Sequence, residues 1–295
     1  MIKINHFDIT KILITLICTG LSAILDETIL SFFATINVLT IGIIHGANDL
    51  YILSKLNKNP KKRHFIYLFI TYVVSVFVMV FALYRFPLWS LMLFVIISSF
   101  HFGEQQWHQN TIVKSATLYF FYAVFGLLLF ALLFFTHKTE TENIIFEITQ
   151  ARLPTYFFDR LLLFASSIFI IFLFINFKKL KPQLFTQAIG FLSLMLLFFQ
   201  TSLLWSFSVY FVLWHSIPSL IEQADVLYKY QSNAIRSYIK SALPYWVLSL
   251  IGLTTVILFI DNEIVSLTSL FFAFLAAITI PHVIAIFLMH KKYIS

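Results

Sequence analysis

Charged residues are scarce in this 295-residue chain: Asp, Glu, Lys and Arg make up 11% of it, against 60% hydrophobic residues. A water-soluble chain carries about a quarter charged residues, so the apolar excess here must face lipid. Cysteine is nearly absent. The lone Cys18 excludes a disulfide framework, a zinc ribbon and an iron–sulfur cluster, each of which needs several thiolates. Internal repeats and low-complexity tracts are missing too, so residues 1–295 read as a single integral membrane domain. The formal charge of +7 does not point to nucleic acid. The lysines sit in short clusters between apolar runs, where membrane topology accounts for them.

What fills the chain is a succession of apolar runs near the ~20 residues that span a bilayer. About ten are expected, over 9–25, 28–54, 65–84, 88–107, 115–136, 158–177, 184–203, 205–228, 241–260 and 264–289. The first is short enough to resemble a secretion signal, but its weak small-residue site and the alternation of the other runs favour an anchor. With the N-terminus inside, all of the 20 Lys and Arg except Arg85, Lys138, Arg152 and Arg160 fall on the cytoplasmic side. The expectation is therefore an all-α, polytopic transmembrane helix bundle of about ten helices in the inner cell membrane, both termini cytoplasmic. The longest link, about 137–157, reads as an outer loop or an interfacial helix.

The placement of the 9 histidines is the most informative feature. His6, His64, His108, His137 and His290 fall at interfaces or in links, where water solvates an imidazole. His45, His101, His215 and His282 fall inside expected crossings that all run from outside to inside. Measured to Lys55, Lys114, Lys229 and Lys291, they stand 10, 13, 14 and 9 residues from the inner basic residues. At 1.5 Å per residue that places all four about 15 to 20 Å above that side. One intramembrane imidazole is usually an interhelical hydrogen bond, but four at one level favour a shared metal.

Neutral imidazole suits iron, zinc, copper or nickel, and without nearby thiolate iron or zinc leads. Asp49 follows His45 by four residues and Glu104 follows His101 by three, on the same helical faces. Each is placed either to orient an imidazole N–H or to serve as a buried polar pair. Glu222 and Asp225 lie below His215, toward the inner interface. Phe100, Phe102, Trp107, Tyr210, Phe211 and Trp214 surround the histidines in sequence and suit an apolar cavity for a long hydrophobic substrate, although aromatics at 18% of the chain also serve plain packing.

The motifs His-Gly-Ala-x-Asp at His45–Asp49 and Ser-x-x-His-Phe-Gly-Glu at Ser98–Glu104 resemble the Brp/Blh family of bacterial and archaeal membrane β-carotene 15,15'-dioxygenases. Trp-His-Ser at Trp214–Ser216 and Pro-His at Pro281–His282 extend the likeness over residues 45–282. The resemblance implies an oxidoreductase with histidine-bound Fe(II) that cleaves the central double bond of β-carotene, or a related carotenoid, with O₂ to give two retinals. It also implies lateral release of retinal into lipid, within reach of a rhodopsin apoprotein. One position departs: where the family continues to a second histidine one turn after His215, this chain has Ser219, preceded by Pro218, which is expected to bend the helix. Three outcomes stay open: a site of His45, His101, His215 and His282; three histidines and water; or a site that has lost activity. Retained metal binding is favoured.

Other readings compete. A di-iron membrane oxidase needs about twice as many buried histidines, paired in short boxes that this chain lacks. A proton- or metal-relaying transporter would suit ten crossings, yet no repeat or matched pair of broken helices is evident. A non-catalytic carotenoid- or retinal-binding relative is kept open by Ser219.

Overall fold

The computed structural model describes residues 6–56, 62–107, 115–259 and 266–293. His108 and Lys114, used above, lie outside the described residues. Among those described, every regular element is helical. In chain order they are α1 (His6–Leu21), α2 (Glu27–Asn37), a π-helical stretch (Val38–Gly42), α3 (Asp49–Lys55), α4 (Lys62–Arg85), α5 (Pro87–Trp107), α6 (Ala116–Thr136) and α7 (Lys138–Thr149). There follow α8 (Phe157–Gln200), α9 (Leu203–Val209), a second π-helical stretch (Tyr210–Ser216), α10 (Ile217–Tyr228), α11 (Ala234–Phe259) and α12 (Leu267–Tyr293).

Among the described residues, seven helices are long and apolar enough to cross a membrane. This is the architecture of a multi-pass membrane protein. The expected runs 158–177 and 184–203 merge in α8, whose 44 residues extend about 66 Å, more than twice the ~30 Å hydrocarbon core. The polar link expected between them stays helical: its lysines are good helix formers, and Pro182 forfeits a single backbone bond. The expected run 28–54 breaks instead, into α2, π-helix, a turn over residues 45–48, and α3. The link after residue 137 contains the helix α7.

The chain forms two compact units. One comprises residues 1–40, 99–142 and 153–218. Within it α6 lies along α8, α1 packs on α8, and α2 packs on α9. Polar side chains bind these apolar helices: Asn176 on α8 donates to Thr117 O at 3.2 Å and accepts from Thr117 Oγ1 at 3.0 Å, and Gln106 donates to Gln187 Oε1 at 2.7 Å. In hydrocarbon such groups have no water to return to. The end of α5 presses directly on α6. A Cβ on Gly103 would stand 1.9 Å from Tyr122 O, and one on Gly126 1.8 Å from Ser99 O, so only glycine permits this backbone approach.

The other unit comprises residues 41–98, 143–152 and 219–295, with α12 packed on α3 and α4. Ile52, Leu220, Ala224, Leu227, Tyr238, Ala242, Ile286 and Met289 form its buried apolar cluster. Phe77, Phe81 and Tyr84 on α4 are exposed, as side chains facing lipid would be. At the start of α12, Glu147 Oε2 accepts the Ser266 N–H at 2.9 Å. Partial burial raises the Glu147 carboxyl, but hydrogen bonds from Ser266 and Ser269 outweigh it and hold the pKa below its ordinary value.

Two of the five histidines read as interfacial are corrected. His137 is buried, its Nε2 2.7 Å from Thr201 O, because the ring joins the end of α6 to the end of α8. His290 is buried with Nε2 3.3 Å from Glu222 Oε1. His6 is exposed and His64 half-buried, as expected. Asp225 is exposed, in keeping with a place toward the interface.

Candidate metal centre

All four inner histidines are buried, His45 to 4%, His101 to 2%, His215 to 2% and His282 to 6% exposure. At that burial an imidazole needs partners from the protein, and the two units supply different kinds.

In the second unit, His45 and His282 stand edge to face with ring centroids 4.8 Å apart. His282 comes from the middle of α12, beside Pro281. Its Nδ1–H donates to Asp49 Oδ1 at 2.9 Å, and the other carboxylate oxygen accepts from Tyr72 Oη at 2.8 Å. Asp49 is 1% exposed, so an imidazole N–H and a phenol O–H satisfy a buried carboxylate. This commits Nδ1 of His282, so a metal held by this ring would be met by Nε2. His45 Nδ1 bonds Gly42 O, which presents Nε2 in the same sense.

Asp49 therefore orients His282, whereas unbroken helical spacing had placed it on the face of His45. The cause is local. Residues 45–48 form a turn between the π-helical stretch and α3, so four residues no longer span one helical face. Gly46 makes the close packing possible: a Cβ there would stand 3.2 Å from His282 Nδ1. The turn is held from α11. Tyr238 Oη donates to His45 O at 2.6 Å, and Asn48 Nδ2 donates to Tyr238 O at 2.9 Å.

In the first unit, His101 and His215 also stand edge to face, with centroids 4.7 Å apart. Here aromatic rings do the holding. Phe102 lies 4.3 Å from the His215 ring, and Phe211 stacks on it at 5.6 Å. Tyr210 closes on Phe102 at 5.7 Å. His215 sits in the π-helical stretch that precedes Pro218. Pro218 cannot donate a backbone N–H to the turn before it, and the expected disturbance takes the form of this widened helix, in which Ser216 Oγ donates to Phe211 O at 2.9 Å. Such π segments recur at functional sites. Glu104 is buried one turn after His101 on the unbroken α5, as its spacing predicted.

The remaining aromatics divide. Trp107 packs edge-on against Phe121 and Phe125, at 4.9 and 5.4 Å. Trp214 turns toward α1, where Nε1 donates to Thr15 Oγ1 at 2.9 Å and the Lys11 ammonium lies 4.8 Å over the ring. Phe100 is half-buried and meets Tyr119 at 6.3 Å. Phe102, Tyr210 and Phe211 are thus grouped with His215, while Trp107 and Trp214 secure helix packing.

Ser219 is buried to 1%, its Oγ 2.9 Å from Gln223 Nε2. Tyr72, Gln223, Tyr238 and Asn48 were not singled out in the sequence. A hydroxyl or amide in an apolar helix was the only available signal, and it is shared by many packing residues.

Buried imidazoles, with ring N–H groups of His45 and His282 committed to oxygen acceptors, form a donor set that fits a first-row metal such as iron or zinc. Among known protein families, the model described as beta-carotene 15,15'-dioxygenase matches residues 36–290. No curated protein and no solved structure matches the chain.

Proposed function

The chain belongs to the β-carotene 15,15'-dioxygenase family, and on that premise we propose that it is an Fe(II)-dependent membrane dioxygenase. The substrate is β-carotene or a related carotenoid, cleaved with O₂ at its central double bond to give two retinals. The observation that carries the reading is the buried His282–Asp49–Tyr72 arrangement beside His45, a carboxylate-oriented imidazole of the kind that ligates metal.

His45, His101, His215 and His282 are the proposed ligands of one ion. Iron, when bound, supplies the reactivity toward O₂ that amino-acid side chains lack. Asp49 keeps the proton of His282 on Nδ1, and Gly42 O does the same for His45. Glu104 is proposed to serve His101 in like manner. Phe102, Tyr210 and Phe211 present an apolar, flat surface suited to a polyene, with Phe100, Trp107 and Trp214 fixing the helices that carry it. Double-bond cleavage by iron and O₂ requires no protein nucleophile. The proposed setting is the inner cell membrane with both termini cytoplasmic, and retinal leaves sideways into lipid, within reach of a rhodopsin.

Expression in a β-carotene-accumulating bacterium tests this. The parent chain bleaches the cells and retinal accumulates, while His45→Ala and His101→Ala leave them orange. Persistent colour with the parent chain stably in the membrane would overturn the enzymatic reading. It would favour a non-catalytic carotenoid-binding relative, which the serine at 219, engaged by Gln223, makes the second reading.

A further inference from the structure

A buried chain of polar side chains runs from Ser219 to the backbone of His45. Gln223 Nε2 is 2.9 Å from Ser219 Oγ, Gln223 Oε1 is 2.8 Å from Tyr238 Oη, and Tyr238 Oη is 2.6 Å from His45 O. Ser219, Gln223 and Tyr238 are each no more than 1% exposed. All four residues lie in one unit.

The proton count gives this chain a direction. Tyr238 has one hydroxyl proton and faces two acceptors, His45 O and Gln223 Oε1. Turning the Gln223 amide over resolves the conflict, since the two ends of an amide are isosteric. Ser219 O–H then donates to the Gln223 carbonyl, the Gln223 N–H donates to the Tyr238 oxygen, and Tyr238 O–H donates to His45 O. Every group has a complement. His45 O lies in the turn at residues 45–48, whose backbone hydrogen bonds run to Ile43, Ile44 and Gly46 O, and it accepts the Tyr238 hydroxyl there.

We propose that Ser219, Gln223 and Tyr238 form a directional hydrogen-bond relay that fixes the His45 turn, making Tyr238 a positioning residue for the metal ligand His45. The serine that stands where the resembling family has histidine therefore acts on the site through the backbone of His45 rather than by ligation. The inference rests on the reading of His45 as a metal ligand. Tyr238 also anchors Asn48 through its own carbonyl, so its phenol and its backbone grip the two ends of the same turn.

The test is Co(II) titration of the purified full chain in detergent, read by the visible ligand-field spectrum, which reports coordination geometry independently of turnover. Tyr238→Phe removes one oxygen atom. It is expected to shift the bands and weaken Co(II) binding by about 10- to 100-fold, the range for losing a group that orients a ligand. Gln223→Met and Ser219→Ala are expected to produce progressively smaller shifts in the same direction. Thr117→Val removes a partly buried hydrogen bond to Asn176 in the other unit and lowers thermal stability without moving the bands. If Tyr238→Phe and Gln223→Met lower stability but leave the spectrum unchanged, the relay is structural only and the proposal falls. If the parent chain shows no Co(II) spectrum sensitive to His45→Ala, the metal reading falls and the proposal with it.

Discussion

The two histidine pairs are alike in burial and in edge-to-face geometry, yet they are held by opposite means. His45 and His282 are oriented by the hydrogen bonds they donate to Gly42 O and Asp49, with Tyr72 and Tyr238 behind them. His101 and His215 are packed among Phe102, Phe211 and Tyr210. Hydrogen bonds select a tautomer and so decide which nitrogen meets a metal. Aromatic packing selects a position and shapes the apolar surroundings. On the proposed function, the first pair tunes ligand chemistry and the second accommodates a flat hydrocarbon.

The sharpest way to break this contrast is to remove each pair in turn. His45→Ala and His282→Ala, and separately His101→Ala and His215→Ala, are expected to abolish both iron content, measured by metal analysis, and retinal formation. Iron retained after loss of either pair would show that the two do not serve one ion. Next in size is Asp49→Asn, which preserves shape while removing the charge that holds the His282 proton. Metal affinity should fall by about 10- to 100-fold, with the protein still folded by circular dichroism.

Phe102→Leu addresses the other pair. Iron content should be unchanged while KM for β-carotene rises by about 2- to 10-fold, the scale of one aromatic contact. A loss of iron instead would mean that the rings also secure His215 as a ligand. Gly46→Ala should act more weakly, because its Cβ at 3.2 Å from His282 Nδ1 is accommodated by a few tenths of an ångström of movement. A small shift in the Co(II) spectrum with a few-fold loss of affinity is expected.

The smallest effect lies away from both pairs. The Glu147 carboxyl titrates lower in the folded chain than its ordinary 4.5. Its contribution to stability is thus present above the unfolded pKa and lost as pH falls through the folded one. Glu147→Gln should lower the melting temperature slightly at pH 7 and leave it closer to the parent value below about pH 4. An equal difference at both pH values would remove the charge from the explanation.

Much of this was legible in residue order. The apolar runs marked the helical segments, and Glu104 lies one turn after His101 as its spacing required, because α5 is unbroken. Asp49 did not. Its service to His282 was hidden by the turn at residues 45–48, and a change from i−4 to i−3 backbone hydrogen bonding leaves no periodic trace in side-chain type. The continuity of α8 was hidden for the opposite reason: three lysines and a proline read as a link, while contacts of Asn176 and Gln187 with neighbouring segments accompany an unbroken helix.

The sequence by itself determined that this is an all-helical membrane protein with four inner histidines, since lipid admits only apolar runs and makes each buried imidazole conspicuous. Which histidine meets which, which carboxylate orients which ring, and how Tyr238 reaches the His45 turn were decided only by the tertiary structure. Spacing along a chain fixes direction within one intact helix, whereas contacts between helices depend on where each helix begins, widens and unwinds.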